Sequence, residues 1–284
     1  MTRHALYAMD TLFYHSLGSY DFDARCEMLR DLGYDATYLT IWDEPAWHET
    51  TWQDVSRLAE VQARYGLDVA AVYVTLDIGA PDNHPGNHRI VHLLETMEGC
   101  ATVEVSIVAG GLPLRPSDPS GDAPATRWLG LLLRAAERHG VTLALYPHAT
   151  LWLERIEDAV RICRAFDHPL LRAVFCGYHW YAVDGTQLPV RLREAAPYLR
   201  LVNICGSRRT GYGPPTIEPL DEGELDNVVL LSQLRHVGYD GPVGVQGYGI
   251  GGDAYAKLRR SIAAFRDMER RLDQHPSWAD LRFG

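Results

Sequence analysis

The sequence is short of several things, and each shortage closes a class of explanation. No apolar run approaches the ~20 residues that a membrane-spanning helix needs. The first residues, Met1 to Tyr7, lack the apolar core of a secretory signal. The five cysteines (Cys26, Cys100, Cys163, Cys176, Cys205) are odd in number and none lies close to another, so reduced thiols in a cytoplasmic protein are expected. Positive charge is scarce, with 27 Lys and Arg against 37 Asp and Glu and a net charge of −10. Such a chain is a poor candidate for gripping a phosphate backbone, so small molecules are the expected partners, with no role for nucleic acid or membrane. A homo-oligomer stays open. No Gly-x-Gly-x-x-Gly follows the first strand, which argues against a doubly wound dinucleotide fold.

What is present is a regular alternation. Eight apolar or alternating segments read as strands: residues 4–10, 34–41, 67–76, 102–108, 141–145, 171–176, 199–205 and 242–246. Segments with helical spacing separate them: 21–32, 51–65, 87–98, 128–139, 153–166, 188–196 and 225–236. The last helix carries the stripe Tyr255, Leu258, Ile262, Phe265 and Leu272. Units recur every 25–40 residues or so, and ~250 residues suffice for eight strand–helix units. The expected fold is α/β, a single (β/α)8 TIM barrel over residues 1–273, with a loose tail over 274–284. Parallel barrels bind ligands at the carboxyl ends of their strands. Tyr146 and His148, which close Val141-Thr-Leu-Ala-Leu-Tyr-Pro-His148, therefore sit where chemistry is expected.

Four segments resemble the sugar phosphate isomerase/epimerase family, the xylose isomerase-like barrels. They are Gly140-Val-Thr-Leu-Ala-Leu-Tyr-Pro-His148, Arg172-Ala-Val-Phe-Cys-Gly-Tyr-His179, Ala196-Pro-Tyr-Leu-Arg-Leu-Val-Asn203, and Pro219 to Asp226 with Gly238 to Gln246. The resemblance covers the last half of the chain. It implies a carbohydrate or related polyhydroxylated keto substrate, and proton abstraction next to a carbonyl. It also implies a divalent metal held by Glu, Asp, His and Glu at four strand ends. At the matching positions stand Tyr146, Cys176, Asn203 and Gln246. Three carboxylates are gone, and a hard cation depends on anionic oxygens. We therefore expect no bound metal and no other cofactor. Zinc on Cys176, His148 and His179 is the one soft-ligand arrangement these residues could make.

The catalytic candidates are His148, His179, Tyr146 and Cys176. One histidine would act as base, and Tyr146, Asn203 or Gln246 would hydrogen-bond the enolate oxygen. Cys176 reads either as a nucleophile or as a small buried filler. The substrate-binding candidates are Asn203, Gln246, Arg208, Trp180, Tyr248 and Asp77, with Asp43 and Glu44 as weaker acids or bases. Arg208, beside Arg209 after the seventh strand, reads as a phosphate anchor or a solvated pair. Gly247-Tyr-Gly-Ile-Gly-Gly252 reads as a phosphate cradle or a plain loop. Glu104, inside the fourth strand, reads as a partnered core carboxylate in preference to a displaced base. Isomerisation or epimerisation is the expected reaction. A lyase or dehydratase acting through the same enolate, and an inactive barrel kept as a binding protein, are the alternatives.

Overall fold

A computed structural model describes residues 4–42 and 48–283. Asp43, Glu44 and Trp47 lie outside the described residues. Eight strands close a barrel in sequence order, and every neighbouring pair is parallel. They are β1 (Leu6–Ala8), β2 (Ala36–Thr40), β3 (Asp68–Asp77), β4 (Thr102–Val108), β5 (Thr142–Leu145), β6 (Leu171–Cys176), β7 (Leu199–Ile204) and β8 (Val243–Val245). The helices up to β5 are α1 (Thr11–Tyr14), α2 (Phe22–Leu32), α3 (His48–Val55), α4 (Val61–Tyr65), α5 (Pro85–Thr96) and α6 (Asp122–His139). Those after β5 are α7 (Ile156–Phe166), α8 (Gly177–Val183), α9 (Leu188–Ala195), α10 (Asn227–His236) and α11 (Ala254–Gln274). None is long and apolar enough to cross a membrane among the described residues.

Local chemistry explains the punctuation. Gly140 takes a left-handed conformation that ends α6 and turns the chain into β5. Asp226 accepts hydrogen bonds from the Val228 and Val229 amides at the start of α10. Leu258, Ile262, Phe265 and Leu272 bury one stripe of α11 against the barrel. Tyr255 stays at the rim of that stripe and bonds Asp31.

Three expectations need correction. The helix expected over 51–65 is broken into α3, a 3-10 turn at Leu58–Glu60, and α4. Gly177 to Trp180, expected as a loop, forms the first turn of α8 directly from the end of β6. The tail is packed, with a 3-10 turn at Pro276–Asp280. Gln233 Nε2 donates to the Leu281 carbonyl at 2.5 Å, and the Phe283 ring lies 5.4 Å from that of Trp180.

Side chains alternate across each strand, so one set fills the barrel while the other meets the helices. The inner set is unusually rich in phenols. Tyr7, Tyr38 and Tyr146 are buried there beside Ala71, Ala144, Val174 and Cys176. Tyr7 and Tyr38 stack at 5.7 Å. Gly244 makes this possible, because a Cβ there would strike the Tyr7 ring and the Asn203 Oδ1.

Candidate functional site

A cavity of about 450 Å³ opens at the carboxyl ends of the strands. Its walls come from segments that leave almost every strand: Met9 and Thr11, Thr40 to Trp42, Tyr73 and Thr75, Val108, Tyr146 to Leu151, Tyr178 and His179, Ile217, and Gln246 with Tyr248. The barrel thus collects Tyr146, His148, His179, Gln246 and Tyr248 from three separate stretches of sequence.

The two histidines lie side by side, with ring centroids 3.9 Å apart, and Ala149 sets the protonation of both. Its carbonyl lies 2.8 Å from His148 Nδ1, which must therefore carry the hydrogen and donate. That leaves a lone pair on His148 Nε2. The Ala149 amide donates to His179 Nδ1 at 3.3 Å, so His179 carries its hydrogen on Nε2. That buried Nε2 has no protein partner. Burial pushes His148 below the ordinary imidazole value. Burial, and then the neighbouring His148, push His179 well below it. Both rings are neutral at pH 7. Thr150, the next residue, holds a φ of 75°, a strained left-handed turn of the kind that accompanies functional loops.

The residues standing at the family's ligand positions are tied to protein partners. Tyr146 Oη donates to Cys176 Sγ at 3.5 Å, and the Cys176 thiol donates to Gln246 Oε1 at 3.1 Å. Burial pushes the Cys176 thiol up to about 11 and the Tyr146 phenol well above its usual range. Neither is a thiolate or phenolate at neutral pH. Cys176 is therefore a buried donor, which suits the filler reading better than the nucleophile. Asn203 is fully buried beneath the cavity and away from its walls. Its Oδ1 accepts from Tyr7 Oη at 2.5 Å and its Nδ2 donates to Glu104 Oε1 at 3.2 Å. Asn203 is thus a core partner, in place of the substrate contact expected of it.

This set does not fit a hard cation. It offers a protonated thiol, a protonated phenol and two amides whose carbonyl oxygens already accept hydrogen bonds. The zinc arrangement is not assembled either. Among the described residues no three His, Cys, Asp or Glu side chains come together as a metal-holding group.

Glu104 is the partnered carboxylate that its place in β4 suggested. Tyr38 Oη donates to its Oε2 at 2.5 Å, opposite the bond from Asn203. Burial pushes it up to about 7, against the pull of those two donors. A second buried network went unread in the sequence. Asp10, at the end of β1, accepts from the Thr40 hydroxyl at 2.6 Å and the Thr40 amide at 3.0 Å. Arg25 reaches it at 3.5 Å and Asp54 at 2.5 Å. Burial raises Asp10 to about 6. The network fixes Thr40 in the cavity wall. The acidic residue at a strand end was a signal for it, since such a buried charge needs partners.

Three expected substrate contacts lie elsewhere. Trp180 is buried in the core between Phe175 and Phe283, with its indole N–H donating to the Thr186 carbonyl at 2.8 Å. Arg208 is exposed beside Glu218 at 3.7 Å, and Arg209 lies over the Tyr181 ring at 4.5 Å. Asp77 faces an adjoining cavity of about 240 Å³, which shares Ile41, Thr75 and Val108 with the first and also holds His84, Asn87 and Arg89, and it accepts from the Gly79 amide. In the glycine-rich loop only Tyr248 lines the cavity. The start of α11 behind it is capped by the Asp253 carboxylate, which fills the place an anion would take.

Residues 26–268 match the family described as xylose isomerase-like TIM barrel. The chain belongs to that family. Solved structures agree on the fold. An L-ribulose 3-epimerase shares 17% identity at a TM-score of 0.74, covering 99% of this chain and 100% of the other. A 3-keto-D-glucoside 4-epimerase from E. coli shares 19% at 0.72, with coverage of 93% and 100%. A D-allulose 3-epimerase from Methylomonas sp. shares 14% at 0.70, with coverage of 94% and 99%. Comparison with curated protein sequences finds no match.

Proposed function

We propose that this xylose isomerase-like barrel is an isomerase or epimerase that moves a proton next to the carbonyl of a carbohydrate or related polyhydroxylated compound, without a bound metal ion. The observation that carries the reading is the pair of tautomers set by Ala149. His148 presents an unprotonated Nε2 in the wall of the cavity, and its depressed basicity keeps it unprotonated down to mildly acidic pH. In the reaction His148 Nε2 takes the proton from the carbon beside the carbonyl. The C–H electron pair moves into the new carbon–carbon double bond, and the carbonyl pair moves onto oxygen. The Cys176 thiol occupies Gln246 Oε1, which leaves the Gln246 amide N–H groups for the developing oxyanion. His179 is a positioning residue: it packs against the base and, being neutral, adds no charge beside it. Return of the proton to the neighbouring carbon, as the hydroxyl proton passes from one enediolate oxygen to the other, gives the isomer; a proton delivered by water to the opposite face of the first carbon, with His148 releasing its own to solvent, gives the epimer.

The epimerase names among the structural relatives support this reading as far as the substrate class. The test is deuterium incorporation from D2O into a panel of keto-sugars. With an active substrate, His148→Asn should slow exchange by about 10²-fold or more while the protein stays folded. The acid limb of kcat/KM should fall below the ordinary imidazole value of ~6.5. Exchange unaffected by His148→Asn would refute the assignment. Tight binding with no exchange across the panel would indicate a binding barrel.

A further inference from the structure

We infer that the substrate of this site is uncharged and carries an apolar ring system beyond its reacting carbonyl, in contrast to a phosphorylated or free small sugar. The inference rests on the proton-transfer reading above and narrows its substrate. None of the described residues lining the cavity is Asp, Glu, Lys or Arg. The two histidines there are neutral, the arginines after β7 are engaged outside it, and Arg89 in the adjoining cavity is held by Glu49 and lies over the Trp52 ring. Behind the wall Thr40 is bonded to Asp10, and the buried Arg25 there is already shared between Asp10 and Asp54, so it offers an entering anion no free cation. A phosphate entering this cavity would leave water without meeting a cation, so it should bind far more weakly than its neutral parent.

The wall is also less polar than its tyrosines suggest, because their hydroxyls are spent on the protein. Tyr73 Oη donates to Ser106 at 2.7 Å, Tyr178 Oη to the Pro215 carbonyl at 3.0 Å, and Tyr146 Oη to Cys176. The Thr40 hydroxyl is spent on Asp10. Among the described lining residues, the buried polar side-chain atoms left for a ligand are few: His148 Nε2, the His179 Nε2–H, the Gln246 amide nitrogen and the Thr11 hydroxyl, the second and fourth of them without a protein partner. A free sugar would find too few partners for its ring of hydroxyls, so an attached apolar ring is needed to offset those left desolvated. The opposite side is aromatic. Trp42 and Tyr248 stand 6.1 Å apart at the mouth, and Tyr248 is 46% exposed, so its ring is open to a ligand. A cavity of about 450 Å³ lies within the ~300–1,000 Å³ range of small-molecule sites. The geometry therefore divides the ligand. A keto or hydroxyl end meets His148 and Gln246, and an apolar ring lies against Trp42 and Tyr248, as in an aryl glycoside or a cyclic ketone.

The experiment is calorimetric titration of the full chain with phenyl β-glucoside, glucose and glucose 6-phosphate, and of Tyr248→Ala with the same three. We expect phenyl glucoside to bind about tenfold or more tighter than glucose, and glucose 6-phosphate weaker than glucose. Tyr248→Ala should lose about tenfold for the phenyl glucoside and little for glucose. Glucose 6-phosphate binding as tightly as glucose or tighter overturns the inference. So does an equal response to phenyl glucoside and glucose, including no binding of either. Deuterium exchange run beside it separates the two ideas: aryl ligands that bind while no ketone exchanges would sink the reaction and spare the ligand class.

Discussion

Replacing Glu104 by glutamine isolates the energetic consequence of keeping a carboxylate inside the barrel. Glu104 is fully buried, and its pKa is raised from 4.5 to about 7, chiefly by desolvation. The folded value lies above the unfolded one. The penalty is therefore absent at low pH, where both states hold the proton, and grows as pH rises through the window between those values. At ~1.36 kcal/mol per pH unit, the full gap amounts to about 3 kcal/mol, of which about 2–3 kcal/mol develops between pH 5 and pH 8. Glutamine removes this pH-dependent part. It can keep its amide oxygen toward Asn203 Nδ2 and turn its N–H group to Tyr38 Oη, a hydroxyl that can accept, as the protonated carboxyl of Glu104 does at low pH. The variant therefore resembles the protonated wild type, with little added cost. Urea unfolding at several pH values from 5 to 8 reads the difference. The variant should be close to the wild type in stability at pH 5 and should gain about 2–3 kcal/mol relative to it by pH 8. Asp10, raised to about 6, and the depressed histidines also make stability depend on pH, but they are common to both proteins and cancel in the comparison. A stability difference that stays constant across this range would refute the buried, late-ionising Glu104.

Two further outcomes follow from the same interior. Gly244→Ala should destabilise by about 1–3 kcal/mol or prevent folding, because the added methyl strikes Tyr7 and Asn203 together; a thermal melt unchanged from wild type would contradict that packing. All five cysteines are buried, and Cys176 holds its proton up to about 11, so the native protein should show no fast-reacting thiol toward a disulfide reagent at pH 8; rapid titration of one equivalent would contradict the Tyr146–Cys176–Gln246 relay.

The barrel was legible because its signal is repeated. Short apolar runs such as 102–108 and 141–145 are separated by amphipathic stretches, and that alternation survives errors at single boundaries. The broken helix over 51–65 was not legible, because Val55, Leu58 and Ala59 keep helical spacing across the break. Nor was α8, where Gly177-Tyr-His-Trp reads as a loop and no side chain caps the start. In the site, His148 and Gln246 followed from their place at strand ends. Trp180 and Arg208 had that place too, but position in the chain does not say which way a side chain turns. Asn203 shows the limit on the inner face. It occupies the position expected of a ligand, and only the packing of Tyr7, Gly244 and Glu104 around it reveals that its amide is already used. Pairings of that kind lie up to about two hundred positions apart and leave no local pattern.

The claim most exposed to test is that the family's cation site has been replaced by hydrogen bonds among neutral groups. The direct measurement is the metal content of the purified chain, determined by elemental analysis after equilibrium dialysis against manganese. We expect far less than one equivalent of manganese or magnesium, since Tyr146 and Cys176 stay protonated and the carbonyl oxygens of Asn203 and Gln246 are occupied. One equivalent of either metal per chain would contradict the account.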